Sequence, residues 1–293
     1  MKRLIILLTL IISSSICLFS ETKTEIKGSI DWETMRLKAE ISFDLASAGL
    51  RLPSGRTQAE SLLRANYLNL IRPFLLELQV DSSSTVGDLI ERGEFTMTQA
   101  DSIALGADAV PPYMQSDMRK ISESHTIMLS NFSSLLIRHN RPAPVIMTLT
   151  PVSSSAYTGI IIIASEKQPV YAMKGTALPV PCLFPKIWDS EMNLIYERNT
   201  VEARNITMVR YSPLKNIFHN NPSGLSPDLQ QIVGTKPMRI FARGVFGIKP
   251  TDLIIDQSDA LAIISSQENR KLLAQGKVVI ILDDSVMKYD FGE

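Results

Sequence analysis

TDLIIDQSDALAIISSQENRKLLAQGKVVIILDD, Thr251 to Asp284, sets two short apolar runs around a segment with helical periodicity. Leu253 to Ile255 and Val278 to Leu282 contain no polar residue. A strand with one wet face would alternate, so both runs are expected to be covered on both faces. Between them, Asp256 or Ser258 is placed to cap a helix carrying Ala260, Leu261, Ile263 and Ile264, because a side-chain oxygen there accepts from the free N–H groups of the first turn. Ser265 and Glu268 have capping-box spacing and are expected to restart the helix. Leu272 and Leu273 give it an apolar face, and Gly276 ends it, since glycine tolerates a left-handed backbone. Two buried strands around a crossover of about 20 residues predict a parallel βαβ unit.

Working outward, the second half keeps this α/β character. YTGIIIIAS (157–165) holds a continuous apolar run bounded by Gly159 and Ser165. PVPCLFPKIWD and MNLIYERN suggest two more strands around a turn. Residues 212–237, rich in Pro and Gly, read as a long loop. MRIFARGVFGI (238–248) is a further strand that Gly244 and Gly247 bend. Upstream, RPAPVIMTLTPVSSSAY (141–157) is kept extended by its prolines and loosened by its serines, which places a domain boundary near Pro151.

The first half is expected to be α+β. Met35, Leu37, Ala39 and Ile41 alternate with polar residues, the period of a half-buried strand, and GSIDW (28–32) precedes it as a hairpin partner. Thr57 and Glu60 have capping-box spacing. Leu62, Leu63, Tyr67, Leu70, Ile71, Phe74, Leu75 and Leu78 then form one helical stripe, with Pro73 predicting a kink near Asn69. Residues 86–124 read as two or three short helices, with Thr96 and Gln99 as a capping box and VPPY (110–113) as a break. His125 to Ile137 returns to strand-like content. The organisation is thus a leader at 1–20, an α+β domain at 21–150 and an α/β domain at 151–293.

The leader is an address. Lys2 and Arg3 precede an apolar run from Leu4 to Ile12, followed by Ser13 to Ser15. That order is a secretory signal, with cleavage between Ser20 and Glu21. As a helix, Leu4 to Phe19 reaches about 24 Å at ~1.5 Å per residue, short of the ~30 Å bilayer core. Two alternatives stay open: an uncleaved anchor in the inner membrane, and lipidation at Cys17, against which Ile16 stands as a poor preceding residue. Cleavage would take the chain from 30 basic and 30 acidic residues to a net charge of −2. Such a balance carries no electrostatic footprint for nucleic acid. It would also leave Cys182 alone, so no internal disulfide holds the fold.

No motif names a reaction. Asp252, Asp256, Asp259, Asp283 and Asp284 gather at strand ends, where ligands of parallel sheets and oxygen-loving cations bind. The plainer reading makes Asp256 a helix cap and lets Asp283 and Asp284 end a strand in water. His125, His139 and His219 lie apart and are expected on surface or loops; no zinc-ligand spacing accompanies them. Ser212 to Lys215 spells S-P-L-K, a formal match to a hydrolase motif in a loop context. No phosphate-cradling glycine loop is present, and no metal or other cofactor is expected. Asn131 and Asn205 sit in N-x-[ST] patterns, which are discounted as glycan sites if the exported chain is bacterial.

Several stretches carry a resemblance. YTG (157–159), PKIWDSEMNLIY (185–196), TDLIIDQSDA (251–260), GKVVIILD (276–283) and LQVDSSSTVGDLI (78–90) resemble a family of exported bacterial envelope proteins. That family is related to small outer-membrane lipoproteins and to lipoproteins of accessory flagellar rings. Pro185, Lys186, Ile187, Asp189 and Tyr196 are in step with its pattern, while Met192 stands where a turn glycine is usual. The resemblance implies a periplasmic or outer-membrane-associated protein with envelope proteins as partners, peripheral to a membrane, and brings no catalytic residues. A non-catalytic structural or interaction role is therefore the leading expectation. A hydrolase of envelope glycan or peptide and a binder of small ligands are the alternatives.

Overall fold

A computed structural model describes residues 24–144, 152–202 and 208–292. Cys17, Ser20, Glu21, Pro151 and Asn205 lie outside them. Strands β1 (Thr24–Asp31) and β2 (Arg36–Asp44) form the expected antiparallel hairpin. On β2 the residues Leu37, Ala39, Ile41 and Phe43 are buried, each flanked by more exposed neighbours. Helix α1 (Gly55–Leu76) lies against that face and buries Ala59, Leu63, Tyr67, Ile71 and Leu75, a spacing of four that keeps one stripe inward. It starts earlier than the Thr57–Glu60 spacing implies. Glu60 pairs with Arg56 at 2.8 Å, and Thr57 lies within the helix, accepting from Ser61 Oγ at its carbonyl. Pro73 is carried inside the helix, three residues before its end.

Helices α2 (Val86–Glu91) and α3 (Met97–Leu105) follow, closed by reciprocal boxes at Thr85–Asp88 and Thr96–Gln99. The chain then returns to the sheet as β3 (Asp108–Met114) and β4 (Lys120–Met128). VPPY therefore does not break a helix. It lies in an edge strand whose register shifts between Val110 and Tyr113, where residues without an N–H cost no ladder bond. The apolar content of 125–137 likewise divides between β4 and a short helix α4 (Ser130–Leu136).

The second half begins with β5 (Ile160–Ile163). A ribbon, β6 (Gln168–Pro169) and β7 (Thr176–Ala177), and a hairpin, β8 (Ile187–Asp189) and β9 (Leu194–Tyr196), come next. Met192 closes that hairpin at φ +63°, held there because the Asp189 carboxylate accepts from the N–H groups of Glu191 and Asn193 at 2.9 and 2.8 Å. After β10 (Arg210–Pro213), the stretch expected as a loop contains helix α5 (Pro227–Val233). Ser226 caps it and Pro227 takes the first turn, where no N–H is needed. The single strand expected at 238–248 is two, β11 (Met238–Phe241) and β12 (Gly244–Phe246), in different sheets.

The opening stretch resolves as β13 (Asp252–Ile255), α6 (Gln257–Ser265), α7 (Gln267–Ala274) and β14 (Val278–Leu282). Both strands are wholly buried, and Gly276 ends α7 at φ +64°. They do not pair with each other. β14 lies inside a parallel sheet of order β10-β14-β5-β11, while β13 lies in a second sheet of order β12-β13-β8-β9. The two helices cross from one sheet to the other, breaking at Ser266, whose Oγ accepts from the Asn269 N–H; the cap is one residue later than expected. In the parallel sheet, Val278, Ile280 and Leu282 face the main core, and Val279 and Ile281 face Leu229 and Val233 of α5.

The two halves are stitched. After β14 the chain makes a short helix α8 (Asp284–Met287) and a last strand, β15 (Lys288–Phe291), which pairs antiparallel with β1. The first sheet thus reads β15-β1-β2-β4-β3. Gly28 is required here: a Cβ would stand 2.4 Å from the Phe291 ring and 2.2 Å from the Lys38 carbonyl oxygen. Further bonds cross the junction. Trp32 N–H donates to Met287 O, Leu183 and Phe184 N–H donate to Gln79 and Val80 O, and Lys249 N–H donates to Ser82 O, all between 2.8 and 3.1 Å. One hydrophobic core runs through both halves.

Candidate functional site

All four strands of the parallel sheet point the same way, so the segments leaving β5, β10 and β11 emerge at one edge. Between them lies an open cleft of about 530 Å³. Ile163, Ser165, Glu166 and Lys167 come from the end of β5, Leu214 and Phe218 from the end of β10, and Phe241 and Arg243 from the end of β11. Ligands of open parallel sheets bind at this carboxyl edge. The exposure of its apolar residues stands out: Phe218 is 72%, Phe241 60% and Leu214 37% exposed. Charge surrounds them. Arg243 Nε meets Asp256 Oδ2 at 2.7 Å, with both side chains partly in solvent.

The five sequence-predicted acids do not form one site. Asp256 stands at the first position before α6 but makes no cap bond; its carboxylate is turned to Arg243 at the cleft rim. Asp259, in the first turn of α6, is raised by burial and by the neighbouring Asp256 charge. Asp283 is the residue that caps, accepting from the Ser285 hydroxyl at 2.5 Å and from its N–H at 2.9 Å, and those bonds, the hydroxyl's first, hold its carboxyl below the ordinary value. Asp284 follows it, exposed, in the first turn of α8. Asp252 sits at the opposite end of β13, fully buried. It accepts from Lys186 N–H at 3.2 Å, Trp188 Nε1 at 3.3 Å and Ser82 Oγ at 3.0 Å. Burial raises its pKa against those bonds. It is a junction residue, since Ser82 belongs to the first half.

The remaining candidates are scattered. Ser212 is buried and bonded to Asn216 Nδ2 at 3.0 Å, whereas Lys215 is exposed. The Cys182 thiol is fully buried and pushed up by desolvation, an inert environment for a thiol. His139 Nε2 lies 2.6 Å from Val201 O, and His219 is on an exposed turn. Among the described residues no three His, Cys, Asp or Glu side chains gather as a metal-ligand set.

His125 corrects the expectation of a surface histidine. It is 8% exposed on the inner face of β4 and stacks on Tyr67 of α1, with ring centroids 3.9 Å apart. Its Nε2 lies 3.7 Å from Glu123 Oε1, and neither Nε2 nor Glu123 Oε2 has a hydrogen-bond partner among the described residues. Strand alternation carries the signal: Ile121, Glu123, His125 and Ile127 share one face, which is the core face. Burial holds the imidazole below its ordinary value of 6.5. The fold therefore resists a proton that the unfolded chain accepts, and stability is lost as pH falls below about 6.5. Glu123, raised by burial, acts with the opposite sign, losing stability as pH rises above its ordinary value of 4.5. His125→Phe keeps the stack and removes the titrating nitrogen. Its urea-unfolding free energy is expected to fall less than that of the parent chain between neutral pH and pH ~5; superimposable pH profiles would show that His125 is free to charge.

Two family models match the chain. Residues 23–135 match the N-terminal domain of Treponema pallidum Tp0624, and residues 159–284 match the second domain of the same protein. No curated protein matches. The two matched segments cover the two halves described above, and β15 lies beyond the second of them.

Proposed function

We propose, taking as premise the similarity of the two halves to the first and second domains of Tp0624, that this chain is a non-catalytic interaction protein of the bacterial envelope. Its carboxyl-edge cleft is the docking surface. The observation that carries this reading is the group of exposed apolar side chains there, Leu214, Phe218 and Phe241, ringed by Arg243, Asp256, Glu166 and Lys167. Aromatic anchors inside a polar rim are the anatomy of protein–protein contacts, and apolar groups grouped in this way on a surface mark interaction sites. The leader before Glu21 supports export, and the sequence resemblance to envelope lipoproteins supports a place at the envelope, near the flagellar apparatus. No described helix is long and apolar enough to cross a membrane.

The test places a photoreactive amino acid at position 241 of the full chain in cells, and at 105 as a control. Leu105 is 67% exposed at the end of α3, in the other half. A discrete crosslinked species in the envelope fraction from 241, absent from 105 and lost with Phe218→Asp, is the expected result. Equal crosslinking from both positions, or none from 241, would contradict the docking role.

A further inference from the structure

A second cavity opens between the halves. It has a volume of about 600 Å³, within the range of small-ligand sites. Its walls come from both matched segments and from β15, so it exists only in the assembled chain. Trp32 and the stacked pair Phe74–Phe291, 4.1 Å between centroids, form its apolar wall. Tyr289, 56% exposed, extends that wall outward. Val180 and Pro250 close the side that belongs to the second half.

The charged groups of the lining are few and unequal. Lys249 and Lys288 bring two ammonium groups, and Glu77 brings one carboxylate. Lys288 is engaged with Asp290 at 3.3 Å, whereas the Lys249 ammonium meets no carboxylate among the described residues. Lys249 is also held in place: its own N–H donates to Ser82 O at 2.9 Å, which fixes the backbone from which the exposed side chain reaches the cavity mouth. An apolar wall with an unpaired cation at its mouth suits a molecule with a long apolar body and one negative charge.

We propose that the cavity between the two halves binds a single-chain amphiphilic anion, its tail against Trp32, Phe74, Tyr289 and Phe291 and its acidic head at Lys249. The exposed patch of the carboxyl edge shares no lining residue with this cavity, so the two proposals stand or fall separately.

Titration calorimetry of the full chain with dodecanoate tests it, with dodecyltrimethylammonium as the probe of equal tail and opposite charge. One dodecanoate per chain is expected, with the cation at least about tenfold weaker. Lys249→Glu, a surface change that thermal melting should show to be folded, is expected to weaken dodecanoate by a similar factor and to reverse the preference. Tyr289→Asp is expected to weaken both probes. Flotation with phosphatidylcholine vesicles carrying lysophosphatidylglycerol, a single-chain acidic lipid, separates the sources of the acid. Parent chain that floats while Lys249→Glu does not identifies an acidic membrane lipid; parent chain that stays behind yet binds dodecanoate identifies a free acid. No binding of dodecanoate, equal affinity for the two head groups, or unchanged affinity in Lys249→Glu would overturn the proposal.

Discussion

Ile280→Ala is expected to cost about 2–5 kcal/mol and to unfold both halves in one transition. Ile280 is 1% exposed in the middle of β14, paired with Ile162 of β5 and Tyr211 of β10. Truncation removes apolar contacts and leaves a cavity that packed neighbours fill only in part. The loss is a large share of the ~5–15 kcal/mol that holds an ordinary domain. From the domain boundary near Pro151 alone, the first half would survive such a change. The stitch argues otherwise. β15 follows β14 through the single short helix α8 and forms the edge of the first sheet, and Trp32 of the first half packs edge-on against Tyr211, with ring centroids 5.9 Å apart. Urea denaturation of the variant should show one transition by fluorescence and circular dichroism together. A protected fragment covering the first half after limited proteolysis would show that the halves fold independently.

Asp252→Ala is expected to be as damaging, for a different reason. The carboxylate is fully buried and gathers donors from three segments: Ser82, the Lys186–Trp188 strand, and Thr251 beside it. The serine and threonine hydroxyls can turn to other acceptors. The Lys186 N–H and Trp188 Nε1–H cannot, and each, part-buried beside the carboxylate, is left unpaired at a cost of up to about 1–3 kcal/mol. A loss of up to about 2–6 kcal/mol follows for Ala. Asn keeps one oxygen for the Lys186 N–H but can leave an amide N–H facing the indole N–H, so an intermediate loss is expected. Urea titration followed by tryptophan emission measures both. A change under about 1 kcal/mol for Ala would mean that water replaces the carboxylate there.

The local chemistry of the chain was legible in its sequence, and its long-range assembly was not. Val278 to Leu282 and Leu253 to Ile255 declare their burial because no polar residue interrupts them. The alternation on β2, the Thr96–Gln99 box and the glycine ending α7 are equally local. The larger failures depend on partners far along the chain, whereas the Thr57–Glu60 box, the Ser265 cap and the Ser226-capped helix were missed locally. Burial of β13 and β14 says nothing about which sheet each joins, and they join different ones. Asp256 has cap spacing, but Arg243, thirteen residues away, supplies a stronger charged partner. VPPY suits an edge strand with a bulge as well as it suits a break. The site was half visible. A carboxyl edge follows from parallel strands, whereas the aromatic residues that occupy it, Phe218 and Phe241, come from segments with no motif. The alternation through His125 on β4 would have placed that histidine inward had the strand been recognised from Lys120 onward.

The shared core and the pairing of β15 with β1 predict that the chain opens as one unit. Native-state hydrogen exchange on the full chain measures it directly, by comparing the β1 amides paired with β15 against the Val279 and Ile281 amides of the parallel sheet. The same opening free energy for both sets, close to that of global unfolding, is the result predicted. A β1 set that exchanges through its own, distinctly different opening while Val279 and Ile281 stay protected, or the reverse, would contradict it.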